Sequence, residues 1–531
     1  MLQTVRSTRG MAVAPHSLAA QAAVSVLRDG GNAIEAMVAA ASTIAVVYPH
    51  MNGLGGDSFW TISCPNQPVV AIDAGGPAAA DISSDYYSAK GCTRIPIRGP
   101  DSANTVAGTV GGWHEALAIS ESWGGRLKLG RLLEEAIFYA EDGIAVTASQ
   151  TASTEKKLAE LKPIAGFAET FLLAGAVPQA GSKLRLERLG RTLRTLATEG
   201  LDSFYRGKLA ARMAKELKAI GCPISADDLS SYRARVRKPL VLEHSLGQIY
   251  NMTPPTQGVI SLIVLGILDR LDIERFEPES PEYIHLVVEA TKQAFAIRDS
   301  YVADPDYMDV DPQSFLENTY LDRLAGNVQL DSALPWGQGR GPGDTVWMGV
   351  IDSEGRAVSF IQSIYHEFGS GLVLPESGIN WQNRGCSFSL DPQNINALRP
   401  RKKPFHTLNP ALARLNDGRT MVYGTMGGDG QPQTQAAVFT RYAVYGYPMQ
   451  KAITAPRWLL GRTWGDDSDS LKLESRFSAA TQAKLQALGH KVEMIEEFDE
   501  LVGHAAGIAR NSNGVLEGAS DPRSDGGVAA F

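Results

Sequence analysis

The chain has 531 residues, 44% of them hydrophobic, and a formal charge of −8 with no long basic run. That supports a sizeable core and excludes a nucleic-acid or anionic-membrane surface as the expected partner. The most apolar early segment, Ile34 to Val47, carries Glu35, Ser42 and Thr43 and is too short to span a bilayer. The opening Met1-Leu2-Gln3-Thr4-Val5-Arg6 lacks the apolar stretch of a secretory signal. Cys64, Cys92, Cys222 and Cys386 show neither zinc nor redox spacing, so buried thiols in a reducing cytoplasm are expected.

In chain order, Ser17 to Asp29 reads as an Ala-rich helix with Ser17 as N-cap and Gly30-Gly31 as its stop. Asn32 to Val47 follows as a second helix, ended by Tyr48-Pro49. Short strands are expected at Trp60 to Ser63 and Val69 to Asp73, then helices at His114 to Trp123 and Leu129 to Asp142. Charged helical stretches, Ser153 to Leu161 and Arg185 to Ala219, predict a mostly helical lobe. Val259 to Leu271 and Pro281 to Ala303 are further helices, and Arg399, Arg401, Lys402 and Lys403 read as a solvated basic loop. Gln433 to Tyr445 and Ala479 to Leu488 close the helical set. Strands and helices mixed in this way predict layered α/β packing.

The run Gly341-Pro342-Gly343-Asp344-Thr345-Val346-Trp347 carries the chemistry. Pro335 to Asp344 is Gly/Pro-rich and polar, as an exposed loop would be. From Val346 the residues turn apolar and β-prone, Asp352-Ser353-Glu354-Gly355 turns the chain, and Ala357 to Ile361 is the return strand. Thr345 thus sits where a loop enters a hairpin. Were the Asp344–Thr345 bond cut, Thr345 would hold a hydroxyl nucleophile and a free α-amine, a base with an unperturbed pKa near neutrality.

Further pieces stand in order along the chain: Gly10-Met11-Ala12-Val13-Ala14, Gly30-Gly31-Asn32-Ala33-Ile34-Glu35-Ala36, Gly53-Leu54-Gly55-Gly56-Asp57, Pro254-Pro255-Thr256-Gln257-Gly258, Asp304-Pro305-Asp306 and Gly518-Ala519-Ser520-Asp521-Pro522-Arg523. With Thr345, these resemble the γ-glutamyltranspeptidase family of N-terminal-nucleophile hydrolases from near Gly10 to Phe531. The resemblance implies a four-layer αββα sandwich with an extra helical lobe, and self-cleavage at Asp344–Thr345. Residues 1–344 would form a large subunit and 345–531 a small one, together one compact unit. An αβ heterodimer from one precursor is implied, and a dimer of such units is a further expectation. No metal or organic cofactor is implied. Gly53 to Gly56 is no phosphate loop, since no Lys-Ser/Thr follows.

By the same resemblance, Ser363 is the second hydroxyl that orients the nucleophile, and Gly427 and Gly428 supply the oxyanion-hole N–H groups. The substrate-reading positions depart from the family's usual pattern. An Arg expected in Asp-x-Arg is Gly75 in Asp73-Ala74-Gly75-Gly76-Pro77. The acidic pair downstream is replaced by Arg384 and Ser387 in Gln382-Asn383-Arg384-Gly385-Cys386-Ser387. A strand Asn becomes Tyr365, and paired serines become His406 and Thr407. A substrate ammonium would here meet a guanidinium, an interaction of the wrong sign.

Arg384 instead offers a bidentate fork for a carboxylate, with Tyr365, Ser387, His406 and Thr407 as further substrate-binding candidates. A structural salt bridge is the competing role for Arg384. The pattern is similar to the family's oxamate amidohydrolase branch, which implies hydrolysis of a small carboxylate-bearing amide, oxamate plus water giving oxalate and ammonia, in purine or allantoin breakdown. The alternatives are a γ-glutamyl hydrolase or transferase on glutathione-like donors, a cephalosporin- or glutaryl-type acylase, and a non-catalytic binding protein on an inherited fold.

Overall fold

The computed structural model describes residues 3–336, 344–461 and 468–531, and for Asp344 the backbone alone. Most of the expected loop before Thr345, residues 337–343, lies outside the described residues.

Two seven-stranded antiparallel sheets form the centre. One runs in the order Gly527–Ala530, Met11–Ala14, Asp344–Ile351, Ala357–Tyr365, Asp57–Ser63, Val70–Ala74, Arg235–Arg237. The other runs Val5–Ser7, Leu516–Ser520, Ala505–Arg510, Thr420–Thr425, Ala411–Leu415, Gly247–Asn251, Leu240–His244. Chain from before and after residue 344 is interleaved in both sheets.

Strand periodicity explains the layering. In the central hairpin, Val346, Met348, Val350, Val358 and Phe360 join a core shared with the helices Ser17–Arg28 and Ala33–Val47. The alternate residues Trp347, Ile351 and Ile361 join Leu412, Val422, Ile508 and Leu516 of the other sheet. A third core packs the outer face of that second sheet under Gly258–Leu268 and Pro281–Tyr301. Three apolar seams between four layers make the αββα sandwich. Trp347, 2% exposed, anchors the middle seam; truncating a tryptophan so buried costs about 3–5 kcal/mol. The charged stretches do form helices, Ala148–Leu161, Glu187–Glu199 and Lys208–Ala219.

Three local expectations are corrected. The first helix is capped by His16, whose ring accepts the Leu18 N–H, because its backbone is the extended residue while Ser17 is already helical. The basic loop is only half solvated, with Arg399 and Arg401 exposed and both lysines inside. Lys402 is buried with its ammonium on the Ile395 and Ala397 carbonyls, and Lys403 is buried against Asp73 at 2.6 Å. Of the four free thiols only Cys222 is buried; the other three are part-exposed. Among the described residues no helix is long and apolar enough to cross a membrane.

Candidate active site

Thr345 is the second residue of its strand, 1% exposed, and its hydroxyl has no hydrogen-bond partner. It shares a face with Trp347, so it enters the seam between the sheets. Val346 pairs with Gln362 but Asp344 with Tyr365. The register slips by one residue, leaving Thr345 opposite both Ser363 and Ile364, a β-bulge of the kind that re-aims side chains. Just beyond the bulge, Tyr365 sits at φ 82°, a left-handed conformation costly for an aromatic residue and held by its surroundings. The Ser363 Oγ accepts the Tyr365 N–H at 2.8 Å.

Across the next pair of strands Ser363 is in register with Asp57. Thr345, Ser363 and Asp57 therefore form one row on three adjacent strands, all facing the seam. Glycine makes this row possible: a Cβ on Gly56 would stand 2.1 Å from the Ser363 carbonyl oxygen, and one on Gly55 would stand 2.1 Å from that of Asn380.

From the opposite sheet, Gly427 and Gly428 leave the strand Thr420–Thr425 at φ 112° and 52°. Neither N–H donates to another group among the described residues. The Gln257 amide donates to the Gly428 carbonyl at 2.8 Å and to that of Thr407 at 2.9 Å, tying the two loops together. Asp429 is fixed by a fully buried ion pair with Arg298, 2.9 Å. The Gly-Gly turn is thus rigid and its donors are unspent, as an oxyanion hole requires.

Arg384 begins a one-turn helix, Arg384–Ser387, and is 1% exposed. Asn383 holds that turn against the hairpin, donating to Ile97 O and accepting from the His366 N–H. The guanidinium lies 3.7 Å over the Tyr365 ring, and both Nη atoms lack a hydrogen-bond partner. Among the described residues no carboxylate forms a salt bridge with it, so the structural-bridge role has no partner. Burial draws Arg384 below the ordinary arginine range, with Tyr365 and Asp57 pulling it back up. A Cβ at Gly385 would overlap the Asn104 side chain, which is buried and donates to the Tyr87 hydroxyl.

His406 is fully buried, edge-on to Phe59 at 4.8 Å, with neither ring nitrogen hydrogen-bonded. Burial first, then the positive charges of Arg384 and Lys403, holds it neutral, well below the usual histidine range. Thr407 Oγ1 is likewise buried and unpartnered. Ser387 differs: its hydroxyl donates to the Phe405 carbonyl at 3.3 Å.

The residue that sequence reasoning passed over is Asp57. Its Oδ1 accepts the Gly76 and Gly108 N–H groups at 2.9 and 3.0 Å. Its Oδ2 has no hydrogen-bond partner and stands 3.5 Å from His406 Nε2. The Gln382 amide beside it donates one N–H to the Val106 carbonyl at 2.9 Å. Burial pushes Asp57 up to about 7, against the Gly76 and Gly108 N–H groups, the nearby Gln382 amide and the Arg384 charge. The signal was an acid closing the run Gly55-Gly56-Asp57; only strand register puts it in one row with Ser363 and Thr345.

One His/Glu group among the described residues could in principle hold a metal, His285, Glu289 and His490. Its contacts are mutual: the imidazoles meet at 2.8 Å, and Glu289 takes the Lys292 ammonium at 2.7 Å and the Leu334 N–H at 2.9 Å. An ammonium on the same carboxylate opposes a cation, and the group serves to pin residues 329–334.

The model of the γ-glutamyltranspeptidase family matches residues 19–531. The chain belongs to that family. It is 59% identical over 526 residues to an oxamate amidohydrolase proenzyme of Klebsiella pneumoniae, covering 99% of each chain. A glutathione hydrolase-like YwrD proenzyme of Bacillus subtilis is 40% identical, again with 99% of each covered. The crystal structure of a cephalosporin acylase from Bacillus halodurans superposes with a TM-score of 0.91 at 32% identity, covering all of this chain and 97% of that one. Family membership accounts for the sandwich; the substrate-reading residues are this chain's own question.

Proposed function

We propose that this family member is a self-processing N-terminal-threonine amidohydrolase acting on a small amide that carries a carboxylate, with oxamate as substrate and oxalate and ammonia as products. In maturation the Thr345 hydroxyl attacks the Asp344 carbonyl, and water hydrolyses the resulting ester. The two fragments, 1–344 and 345–531, stay together as an αβ unit because each contributes strands to both sheets. The new α-amine of Thr345 then serves as base, and the same hydroxyl attacks the substrate amide. Gly427 and Gly428 N–H groups receive the oxyanion, Ser363 orients the attacking oxygen, ammonia leaves, and water resolves the acyl-enzyme.

The observation that carries the substrate reading is Arg384, buried over Tyr365 with both terminal nitrogens unspent. A buried guanidinium without acceptors carries a desolvation cost of several kcal/mol that a substrate carboxylate relieves. The acids that a γ-glutamyl α-ammonium needs are replaced here by Arg384 and Ser387. The similarity to a proenzyme named for oxamate hydrolysis points the same way. The test is ammonia release from oxamate, glutamine, glutathione and succinamate. Oxamate leading the panel is expected, and glutathione or glutamine leading it overturns the reading.

A further inference from the structure

Asp57 is a carboxylate with two different jobs on its two oxygens. Oδ1 does the structural one, closing the turns at Gly76 and Gly108. Oδ2 does none: it is buried, unbonded, and directed at His406, whose nitrogens are equally unbonded. Folding gains nothing from a buried acceptor left empty, and such an atom costs about 1–3 kcal/mol, more when charged. A fold that needed only the Gly76 and Gly108 contacts could use an uncharged side chain there.

Polarity within the site narrows what fills this place. Arg384 offers unpaired donors, and Asp57 offers an unpaired acceptor, with no ion pair between them among the described residues. Asp57 and Thr345 lie on strands two apart in the sheet, roughly 10 Å at Cα, with Ser363 in register between them. A small planar molecule with a carboxylate at one end and N–H groups at the other satisfies both at once. Neutral His406, packed edge-on against Phe59, closes the wall beside the N–H end.

Resting on the function proposed above, we infer that Asp57 is a specificity-determining residue whose Oδ2 accepts an N–H of the substrate carboxamide, so that the site selects primary amides over acyl groups carrying no N–H. No proton is transferred in this contact. The nitrogen is held while Thr345 attacks the adjoining carbonyl carbon, and the contact ends when ammonia leaves.

The experiment compares oxamate with the monoethyl ester of oxalate, which presents the same acyl group and carboxylate but has no N–H. For the wild type and Asp57→Asn, kcat/KM is measured on both, and the amide-to-ester ratio is the readout. Asparagine keeps one oxygen, the acceptor that Gly76 and Gly108 require, and so turns its NH2, a donor, toward the substrate. The ratio is expected to fall roughly 30-fold, the effect of losing one hydrogen bond to a charged group. An unchanged ratio, whether both activities fall together or neither does, overturns the assignment. Should the asparagine variant melt early or remain uncut, Asp57→Ser provides the same ratio with a smaller acceptor. A wild type that cleaves itself yet hydrolyses neither compound refutes the substrate reading itself, an outcome distinct from an unchanged ratio in an active enzyme.

Discussion

Gly75 and His406 compete for one volume: a Cβ at residue 75 would stand 3.2 Å from His406 Nε2, and 3.1 Å from the Phe59 ring. The family's usual arginine at the Gly75 position would therefore crowd an imidazole at 406, which would have to give by a few tenths of an ångström. The two positions are thus neighbours in three dimensions. With glycine at 75 and histidine at 406, a neutral ring stands against Asp57, and Arg384 is the cation whose charge both His406 and Asp57 feel.

That proximity predicts a coupling. Gly75→Arg alone should lower the melting temperature, since overpacking a full site costs about 1–3 kcal/mol. Gly75→Arg combined with His406→Ser should recover at least part of the loss. Melting curves of the two single variants and the double variant give the coupling energy, expected at about 1 kcal/mol or more. Additive effects would show that the two side chains do not share the space. Even the double variant should release little from a γ-glutamyl anilide, because Arg384 and Ser387 still stand where acids are needed.

Thr345 is expected to serve both maturation and turnover. Thr345→Ala should remain a single uncut chain on a denaturing gel and release no ammonia. Thr345→Ser should cut and turn over slowly, because the hydroxyl survives but the β-methyl that restricts χ1 is lost. Normal two-fragment processing in the alanine variant would exclude Thr345 as the maturation nucleophile.

How much of this was legible in the sequence depends on the scale of the interaction. Helices and hairpin strands were, because their apolar periods are local: Val346, Met348 and Val350 alternate with Trp347 and Ile351 as two buried faces require. Thr345 was singled out by its place between loop and hairpin, and Ser363 and the Gly427-Gly428 turn only through the family resemblance. The bulge opposite Thr345 was not, since it is a register shift between strands and leaves no mark in either one. Asp57 escaped for the same reason, its place in the row being set by pairing with Ser363, 306 positions away. Lys402 and Lys403 misled because a basic run normally stays in water; here backbone carbonyls and Asp73 meet the ammonium groups inside.

Arg384 should read the substrate's charge. Arg384→Ala is expected to cut kcat/KM on oxamate by roughly two powers of ten, as removing one partner of a desolvated charge pair does. Arg384→Lys should restore only part, keeping charge but losing the planar fork. Self-cleavage should survive in both, since the Asp344–Thr345 peptide needs no carboxylate anchor. Oxamide, whose second amide is neutral, is the control. An equal loss on oxamate and oxamide would make Arg384 a support of the fold.

Buried histidines set the acid limit of stability. Burial holds His16 and His504 at about 4 and His50 and His490 at about 3, each far below 6.5. Between pH 6.5 and 4 the unfolded chain therefore binds protons that the folded chain refuses, so stability falls as pH falls. Each such group contributes about 1.4 kcal/mol per pH unit once its unfolded form is fully protonated. Asp57 acts with the opposite sign: raised to about 7, it takes a proton more readily when folded, and its contribution is lost as pH rises through 7. Four histidines outweigh one such carboxyl, so Tm should drop steadily from pH 6.5 to 4.5. Asp57→Asn removes the opposing contribution, so relative to wild type the variant should gain Tm at pH 8 and lose that advantage at pH 5. A difference between the two proteins that does not change with pH would show that Asp57 titrates alike in the folded and unfolded chain, contrary to its unbonded, buried Oδ2.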